Sequence, residues 1–379
     1  MSDNNDIYEF TAKTFQGLEK ISASELKKTG AENIKILKRA VSFTGNKEVM
    51  YRANYEVRTV LTVLRKIKEF EAKSSEELYE KAKNTEWDKY LDPEESFSID
   101  KTVYSHIHKH SHFAALKTKD AIADYFTGKY GKRPSVNTKN PDKKIHLHIS
   151  GTKCTLSSDT SGEPLFKRGY RSASGVAPLN EVLAAGIVML TDYKDIEYFY
   201  DPMCGSGTIL TEAARIFMNI PPGYGRKDFA FRKFKDYDYR LWNKIKREAD
   251  KKIKKEIPVK IIGTDIDENM VKIARKNISN AGLRHFITVK QKNFIGTELK
   301  NRKGIIVTNP PYDERIKSSD IYKLYKDTGD TLKKGYKNST AYIFSGNLKA
   351  LKHIGLKASQ KYRLYNGKID CRLLKYDLY

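Results

Sequence analysis

The run Ile196 to Tyr200 is largely apolar, Asp201-Pro202-Met203-Cys204-Gly205-Ser206-Gly207-Thr208 follows it, and Ile209 to Phe217 then carries a helical pattern. No other stretch constrains the fold as strongly, because this order reads strand, glycine turn, helix. Glycines let the backbone turn sharply and let a ligand approach it, with the amides of the helix N-terminus facing that ligand. The expectation is a cofactor loop built from Asp201, Pro202, Cys204, Gly205, Ser206, Gly207 and Thr208.

A dinucleotide site has the same outline, but it wants a third glycine three residues after the second and an acid about 20 residues further on. Leu210 stands at that glycine position and the next strand-end acid is Asp265. What remains, a strand-end acid followed by Gly-x-Gly, fits the S-adenosylmethionine loop of class I methyltransferases. Gly263-Thr264-Asp265-Ile266-Asp267 closes a second strand. There Asp265 is placed to accept the ribose hydroxyls, Ile266 to pack on adenine and Asp267 to cap the following helix. A third strand, Phe286 to Lys290, ends at Asn293-Phe294, where Asn293 can meet the adenine amine or simply make a turn.

About a hundred residues beyond the glycine loop, Asn309-Pro310-Pro311-Tyr312 follows the apolar strand Ile305 to Thr308. An exocyclic amine on a base is a poor nucleophile, since its lone pair is conjugated with the ring. Two acceptors, the Asn309 side-chain oxygen and the Pro310 carbonyl, can draw its hydrogens. The prolines fix the turn that aims them, Tyr312 can stack on the base, and Asn309 also borders the cofactor. Glu314 is a candidate for selecting guanine, whose N1 carries a hydrogen where adenine has a lone pair. Helix capping or pairing with Arg315 is the plainer role for it.

Charge narrows the partner. The chain carries 71 Lys and Arg against 47 Asp and Glu, a net charge of +24, with 24 tyrosines and 16 phenylalanines. Basic surface with aromatics suits nucleic acid, although lysine also serves solubility. From Arg226 to Lys260 there are 14 basic side chains against 6 acidic ones, so the catalytic half is also a candidate for gripping RNA. A solvated lysine-rich helix face is the alternative. Cys154, Cys204 and Cys371 are far apart and form no CxxC pair, which argues against a disulfide framework or structural zinc. No apolar segment follows Met1, and no run of about 18 apolar residues occurs. The expectation is a cytoplasmic chain with no membrane partner and no metal.

Before the glycine loop, small strand-like and helix-like patches alternate. Ser74 and Glu77 have capping-box spacing for the helix carrying Leu78 and Tyr79. The stretch His106-Ile107-His108-Lys109-His110-Ser111-His112 holds half of the 8 histidines. Alternate spacing would put four imidazoles on one strand face. Zinc needs a converging geometry and usually a ligand from elsewhere, so RNA contact by His106, His108, Lys109, His110, Lys117 and Lys119 is the functional candidate, beside a solvated loop. Between Gly162 and Ser174 the periodicity lapses, and Arg168 and Arg171 in this junction are candidate contacts to the substrate base. Ala177-Pro178 is expected to open a helix through Leu190. After the glycine loop, an insertion with Pro221-Pro222-Gly223, Phe229-Ala230-Phe231 and a helix from about Tyr239 to Ile257 delays the second strand. Asn366-Gly367 marks a hairpin between the last two strands.

Together these residues resemble the large-subunit ribosomal RNA guanine-N2 methyltransferases that join an N-terminal THUMP domain to a class I methyltransferase domain. The matches are Lys167 to Arg171 with Ala177-Pro178-Leu179, Asp201 to Ala214, Gly263 to Asp267, Asn309 to Tyr312 with Glu314-Arg315, and Leu364-Tyr365-Asn366-Gly367. The resemblance covers nearly the whole chain. It implies an α/β fold: a Rossmann-like domain over 161–379 with a mostly parallel seven-stranded sheet and an antiparallel C-terminal hairpin. An α+β ferredoxin-like unit over 1–65 and a THUMP RNA-binding domain over 66–160 precede it. It also implies S-adenosylmethionine as cofactor, S-adenosylhomocysteine as product, and transfer to a guanine 2-amino group in 23S rRNA. Two departures stand out. Asp313 follows the tetrapeptide where the family usually has glycine, and one methyltransferase domain is expected where some relatives fuse a second behind the first. The residues alone point to an amine, this cofactor and a polyanion, and do not fix guanine. A tRNA guanine-N2 methyltransferase, a DNA adenine-N6 methyltransferase and a non-catalytic RNA-binding assembly factor remain alternatives.

Overall fold

The computed structural model describes residues 6–172, 179–299, 302–311 and 318–379. Ala177-Pro178, Tyr312 and Glu314 lie outside them. In the N-terminal part the strands are β1 (Tyr8–Thr14), β2 (Glu32–Leu37), β3 (Ala40–Gly45), β4 (Val60–Glu71), β5 (Ser96–Tyr104), β6 (Ser135–Val136), β7 (Lys143–Ser150) and β8 (Lys153–Asp159), and the helices are α1 (Glu19–Lys28), α2 (Lys47–Glu56), α3 (Ser75–Lys83) and α4 (Ser111–Tyr130). The strands form one eight-stranded sheet in the order β2-β3-β1-β4-β8-β7-β5-β6. It is continuous because β4 is 12 residues long. Its first half pairs with β1, from Thr14↔Val60 to Phe10↔Arg65, and its second with β8, from Leu64↔Asp159 to Glu71↔Lys153. Ser74 caps α3 by accepting from the Glu77 amide (3.1 Å), and the Glu77 carboxylate accepts from the Lys73 amide (3.0 Å). The reciprocal bond of the expected box thus lands one residue before the cap.

The second sheet has seven strands: β9 (Tyr198–Asp201), β10 (Lys260–Asp265), β11 (Ile287–Gln291), β12 (Gly304–Thr308), β13 (Thr340–Ser345), β14 (Gln360–Asn366) and β15 (Ile369–Asp377), in the order β11-β10-β9-β12-β13-β15-β14. The first five in that order run parallel, and β15 is antiparallel to both β13 and β14. This is the expected mostly parallel sheet with its closing hairpin. The hairpin loop itself is Gly367-Lys368, Asn366 still being paired with Ile369. Helices α5 (Glu181–Met189), α6 (Thr208–Phe217), α7 (Tyr239–Lys251), α8 (Glu268–Asn280) and α9 (Ser318–Gly335) complete the described helices. α5 starts at Glu181. Asn180 fixes that start by accepting from the Val182 amide (2.9 Å), a bond that proline at the first turn would not supply.

The insertion between α6 and β10 departs most from its sequence reading. Phe229, Phe231, Phe234 and Trp242 are buried with Tyr51, Tyr55 and Val57 of the ferredoxin-like unit. Its charges are also engaged: Asp236 pairs with Arg65 (2.8 Å) and Lys47 (3.7 Å), and Lys233 with Asp142 (2.9 Å). The segment is therefore a strap that clamps the N-terminal sheet. Its helix stops at Lys251, and the Lys254 amide then ties back to the Met218 carbonyl (2.8 Å).

Candidate active site

Strands β11, β10, β9 and β12 are neighbours, and after β9 the chain builds outward first to one side and then to the other. The carboxyl ends of strands flanking such a reversal form a crevice where ligands bind. Asn293, Asp265, the glycine loop and Asn309 follow those four strand ends in that spatial order.

The loop conformation accounts for its glycines. Gly205 and Gly207 have φ of +51° and +77°, and a Cβ on Gly205 would meet nothing within 4 Å, so its backbone faces open space. On Gly263 a Cβ would lie 2.3 Å from Leu210 Cδ1. The leucine that stands where a dinucleotide loop has glycine thus fills the space that Gly263 leaves. Asp265 orders the loop: one carboxylate oxygen accepts from the Gly205 amide (2.8 Å) and the other from the Asp267 amide (3.0 Å). Ile266 is 67% exposed, an uncovered apolar side chain next to that carboxylate, as an adenine contact requires. Asp267 caps α8 through the Asn269 amide (2.8 Å). These features fit an adenosine-bearing cofactor.

Several candidates lie deeper than expected. Asp201 is 1% exposed and accepts from the Met203 amide (3.2 Å), so it braces the turn from beneath. Burial, with the Asp265 carboxylate adding to it, pushes its pKa up to about 8. Pro202 is buried and its carbonyl accepts from the Thr264 hydroxyl (3.1 Å). The side chains of Cys204, Ser206 and Thr208 are buried, burial raising the Cys204 thiol well above its ordinary range. Any contact these residues make with a ligand is thus assigned to backbone. Phe294 is a core residue, its ring packed against Tyr200 and Tyr336. Asn293 is exposed and accepts from the Ile295 amide (3.0 Å), which makes it a turn residue with its amide group still accessible.

Arg168 and Arg171 are engaged by protein partners. Arg168 is 3% exposed, pairs with Glu212 of α6 and donates to the Arg58 carbonyl (2.6 Å). Glu212 projects from the helix of the cofactor loop toward the N-terminal unit, and a buried carboxylate there requires a cation. Arg171 donates to the Leu179 carbonyl (2.6 Å) and the Thr208 hydroxyl (2.9 Å), and pairs with Glu181 (3.2 Å), which locks it behind the loop. The histidines do not share a strand face, because β5 ends at Tyr104 and α4 begins at Ser111. His108 is buried, with Nε2 3.1 Å from the Ala72 carbonyl oxygen, whereas His106, Lys109 and His110 are exposed. Lys117 lies over the Phe113 ring (5.6 Å) and Lys119 pairs with Asp120 (2.7 Å). Among the described residues no group of three His, Cys, Asp or Glu could hold a metal ion.

Asn309 follows the end of β12. Its Oδ1 is buried and has no hydrogen-bond partner among the described residues, a costly state that a ligand donor would relieve. Pro310 is buried, and the Pro311 carbonyl is 3.5 Å from the Tyr325 hydroxyl, which shares a hydrogen bond with Ser345 (2.7 Å). Tyr325 and Ser345 thus support the turn. The sequence hides them, since Tyr325 sits on the apolar face of α9 and Ser345 ends a core strand. Asn277 was missed in the same way: on the buried face of α8, it donates to the Ser206 carbonyl (3.1 Å) and accepts from the Ser172 amide (3.1 Å).

Comparisons with known proteins name the domains. Residues 168–375 match the RMKL-like methyltransferase domain, 72–159 the THUMP domain and 9–64 the RlmL ferredoxin-like domain. The chain belongs to the RMKL-like methyltransferase family. A putative RNA methyltransferase of Synechocystis sp. is 36% identical to this family member, over 98% of this chain and 97% of its own. A ribosomal RNA large subunit methyltransferase K/L of Methylococcus capsulatus is 35% identical over 98% of this chain, which spans only 51% of that relative. A putative methyltransferase solved with S-adenosylhomocysteine superposes with a TM-score of 0.89 at 30% identity, covering 99% of each chain. This methyltransferase is therefore of the S-adenosylmethionine-dependent class. No described helix is long and apolar enough to cross a membrane.

Proposed function

We propose that this chain methylates the exocyclic N2 amine of a guanine in large-subunit ribosomal RNA. The observation that carries the reading is the buried Asn309 Oδ1 at the end of β12, which has no hydrogen-bond partner among the described residues and lies beside the strand ends that carry the glycine loop and Asp265. The K/L relatives' names supply the RNA class, and the N-terminal THUMP match agrees with it. In this reading Asp265 holds the ribose, Ile266 covers adenine, and backbone of the 201–208 loop and Asn293 complete the cofactor site. S-adenosylmethionine, when bound, supplies an electrophilic methyl group. Asn309 accepts a hydrogen bond from the target amine and turns its lone pair outward. That bond strengthens as the amine becomes tetrahedral and its hydrogens more acidic, so it favours the transition state over the bound base. The rest of the rate comes from positioning, and the base must be unpaired or flipped to reach Asn309. Tyr312 would stack on it and Glu314 would accept its N1 hydrogen.

The test uses labelled cofactor with separate pools of rRNA, tRNA and DNA, followed by nucleoside identification, for the parent protein and Asn309→Ala. The expected label is N2-methylguanosine in large-subunit rRNA. Asn309→Ala is expected to cut the single-turnover rate by at least a hundredfold with both ligands still bound. Label in tRNA or in DNA adenine would replace the substrate assignment. An unimpaired Asn309→Ala rate would remove the asparagine from the chemistry.

A further inference from the structure

Strand β11 is an outer strand of the catalytic sheet, and two concave surfaces flank it. On the α8 side a groove of about 570 Å³ is lined by Arg275, Lys276 and Arg284 with Ile287, Thr288 and Val289, and by no acidic residue. On the other side the described residues joining β11 to β12 form no helix. A cavity of about 630 Å³ opens there over Ile262, Phe286 and Leu299, rimmed by Lys260, Lys290 and Lys292, with Glu298 as its acid. All six of these cations are exposed. Among the described residues, none of the six forms an ion pair.

We propose that this outer strand and its two flanking grooves are an RNA-binding surface of the catalytic domain, separate from the THUMP unit, that tracks the phosphate backbone of the substrate. It rests on the reading of the protein as an RNA methyltransferase. Six exposed cations gathered around a single carboxylate, Glu298, favour a polyanion, and the strand is blunted against the usual protein partner of a sheet edge. Arg275 donates to the Val289 carbonyl from Nε (3.1 Å) and from its terminal nitrogen (2.7 Å), occupying an acceptor that an added strand would need. The strap, by contrast, spends Lys233 and Lys235 on Asp142 and Asp92 of the N-terminal unit. Around β11, six exposed cations carry no ion pair among the described residues. Phosphates along its rim would bring the strand across the end of the sheet that carries Asp265 and Asn309, while the apolar floor of the larger cavity gives unpaired bases a surface.

The experiment compares the parent protein with the triple variant Lys276→Gln, Arg284→Gln, Lys290→Gln. A charge-matched control carries Lys20→Gln, Lys27→Gln and Lys28→Gln on α1, whose lysines are likewise exposed. Affinity for deproteinised large-subunit rRNA is measured across a salt series, and cofactor affinity by calorimetry. Each phosphate contact on a single strand contributes about 0.7 to the salt slope, so the β11 triple should lower the slope by about 2. Its affinity should fall at least tenfold, with cofactor affinity and circular dichroism unchanged. The control should stay within about threefold of the parent, because diffuse charge alone contributes little per residue at this ionic strength. Equal losses in the two triples, or parent-like binding by the β11 triple, overturns this surface and leaves the function standing. A parent protein that binds no RNA overturns the function itself. Folded β11 variants that lose cofactor affinity would make the cations part of the cofactor site and also overturn the proposal.

Discussion

Asp201 shows how a residue can be correctly singled out and misplaced. Its position after an apolar strand and before Gly-x-Gly was legible, but the direction of its side chain was not, because every residue of β9 is buried and the strand end offers both faces. With a pKa near 8 the carboxyl holds its proton through neutrality in the folded protein and loses it near pH 4 when unfolded. The folded pKa is the higher, so the stabilisation is present below about pH 4 and is lost as pH rises through about 8. Glu25, Asp159 and Glu181 are raised by burial and act in the same direction, so the Asp201 share must be isolated by substitution. Asp201→Asn keeps an acceptor for the Met203 amide. Its urea midpoint is expected to fall less than the parent's between pH 5 and pH 9. Parallel profiles would place the Asp201 pKa in the ordinary carboxylate range.

Among elements, the strap separates what pattern reveals from what it conceals. Strand ends, the glycine loop and the closing hairpin were readable because local chemistry dictates them: apolar runs, positive φ and turn residues. The strap's Phe229-Ala230-Phe231 and Trp242 were equally visible as aromatics, but whether an aromatic meets a base or another side chain depends on a partner two hundred residues away. Here Trp242 sits edge-on to Tyr51 and Tyr55, with ring centroids 6.0 and 5.4 Å apart. Arg168 misled for the same reason, since nothing local announces that Glu212 is its counter-ion. Trp242→Ala should therefore destabilise the protein by about 3–5 kcal/mol, the range for emptying a buried aromatic site, although it lies outside the N-terminal units. Denaturation followed by circular dichroism checks this, and a loss under about 1 kcal/mol would mean that the strap is a loosely attached insertion.

Across the whole molecule, the N-terminal units and the catalytic domain share too much interior to behave as beads on a string. Leu18, from the loop before α1, is buried in the catalytic core against Gly186 of α5, where a Cβ would come within 2.5 Å of it. Gly17 approaches β14 so closely that a Cβ would lie 2.3 Å from the Arg363 carbonyl oxygen. Arg58, Arg168, Arg215 and Glu212 form a buried charged layer between the halves, and separating them would expose unpaired charge. The eight-stranded sheet carries the same continuity out to the THUMP unit through β4. Cooperative unfolding as one unit follows, and the 2 tryptophans can report it. Trp87 is buried in the THUMP core and Trp242 where the strap packs on the ferredoxin-like unit. Trp242→Phe leaves the first reporter and Trp87→Phe the second, each keeping an aromatic ring in place. With each variant's fluorescence midpoint referred to its own circular dichroism midpoint in urea, both differences should be zero within error. A fluorescence transition at Trp87 that precedes loss of the catalytic sheet would show the THUMP unit opening first, and would make β4 a hinge rather than a weld.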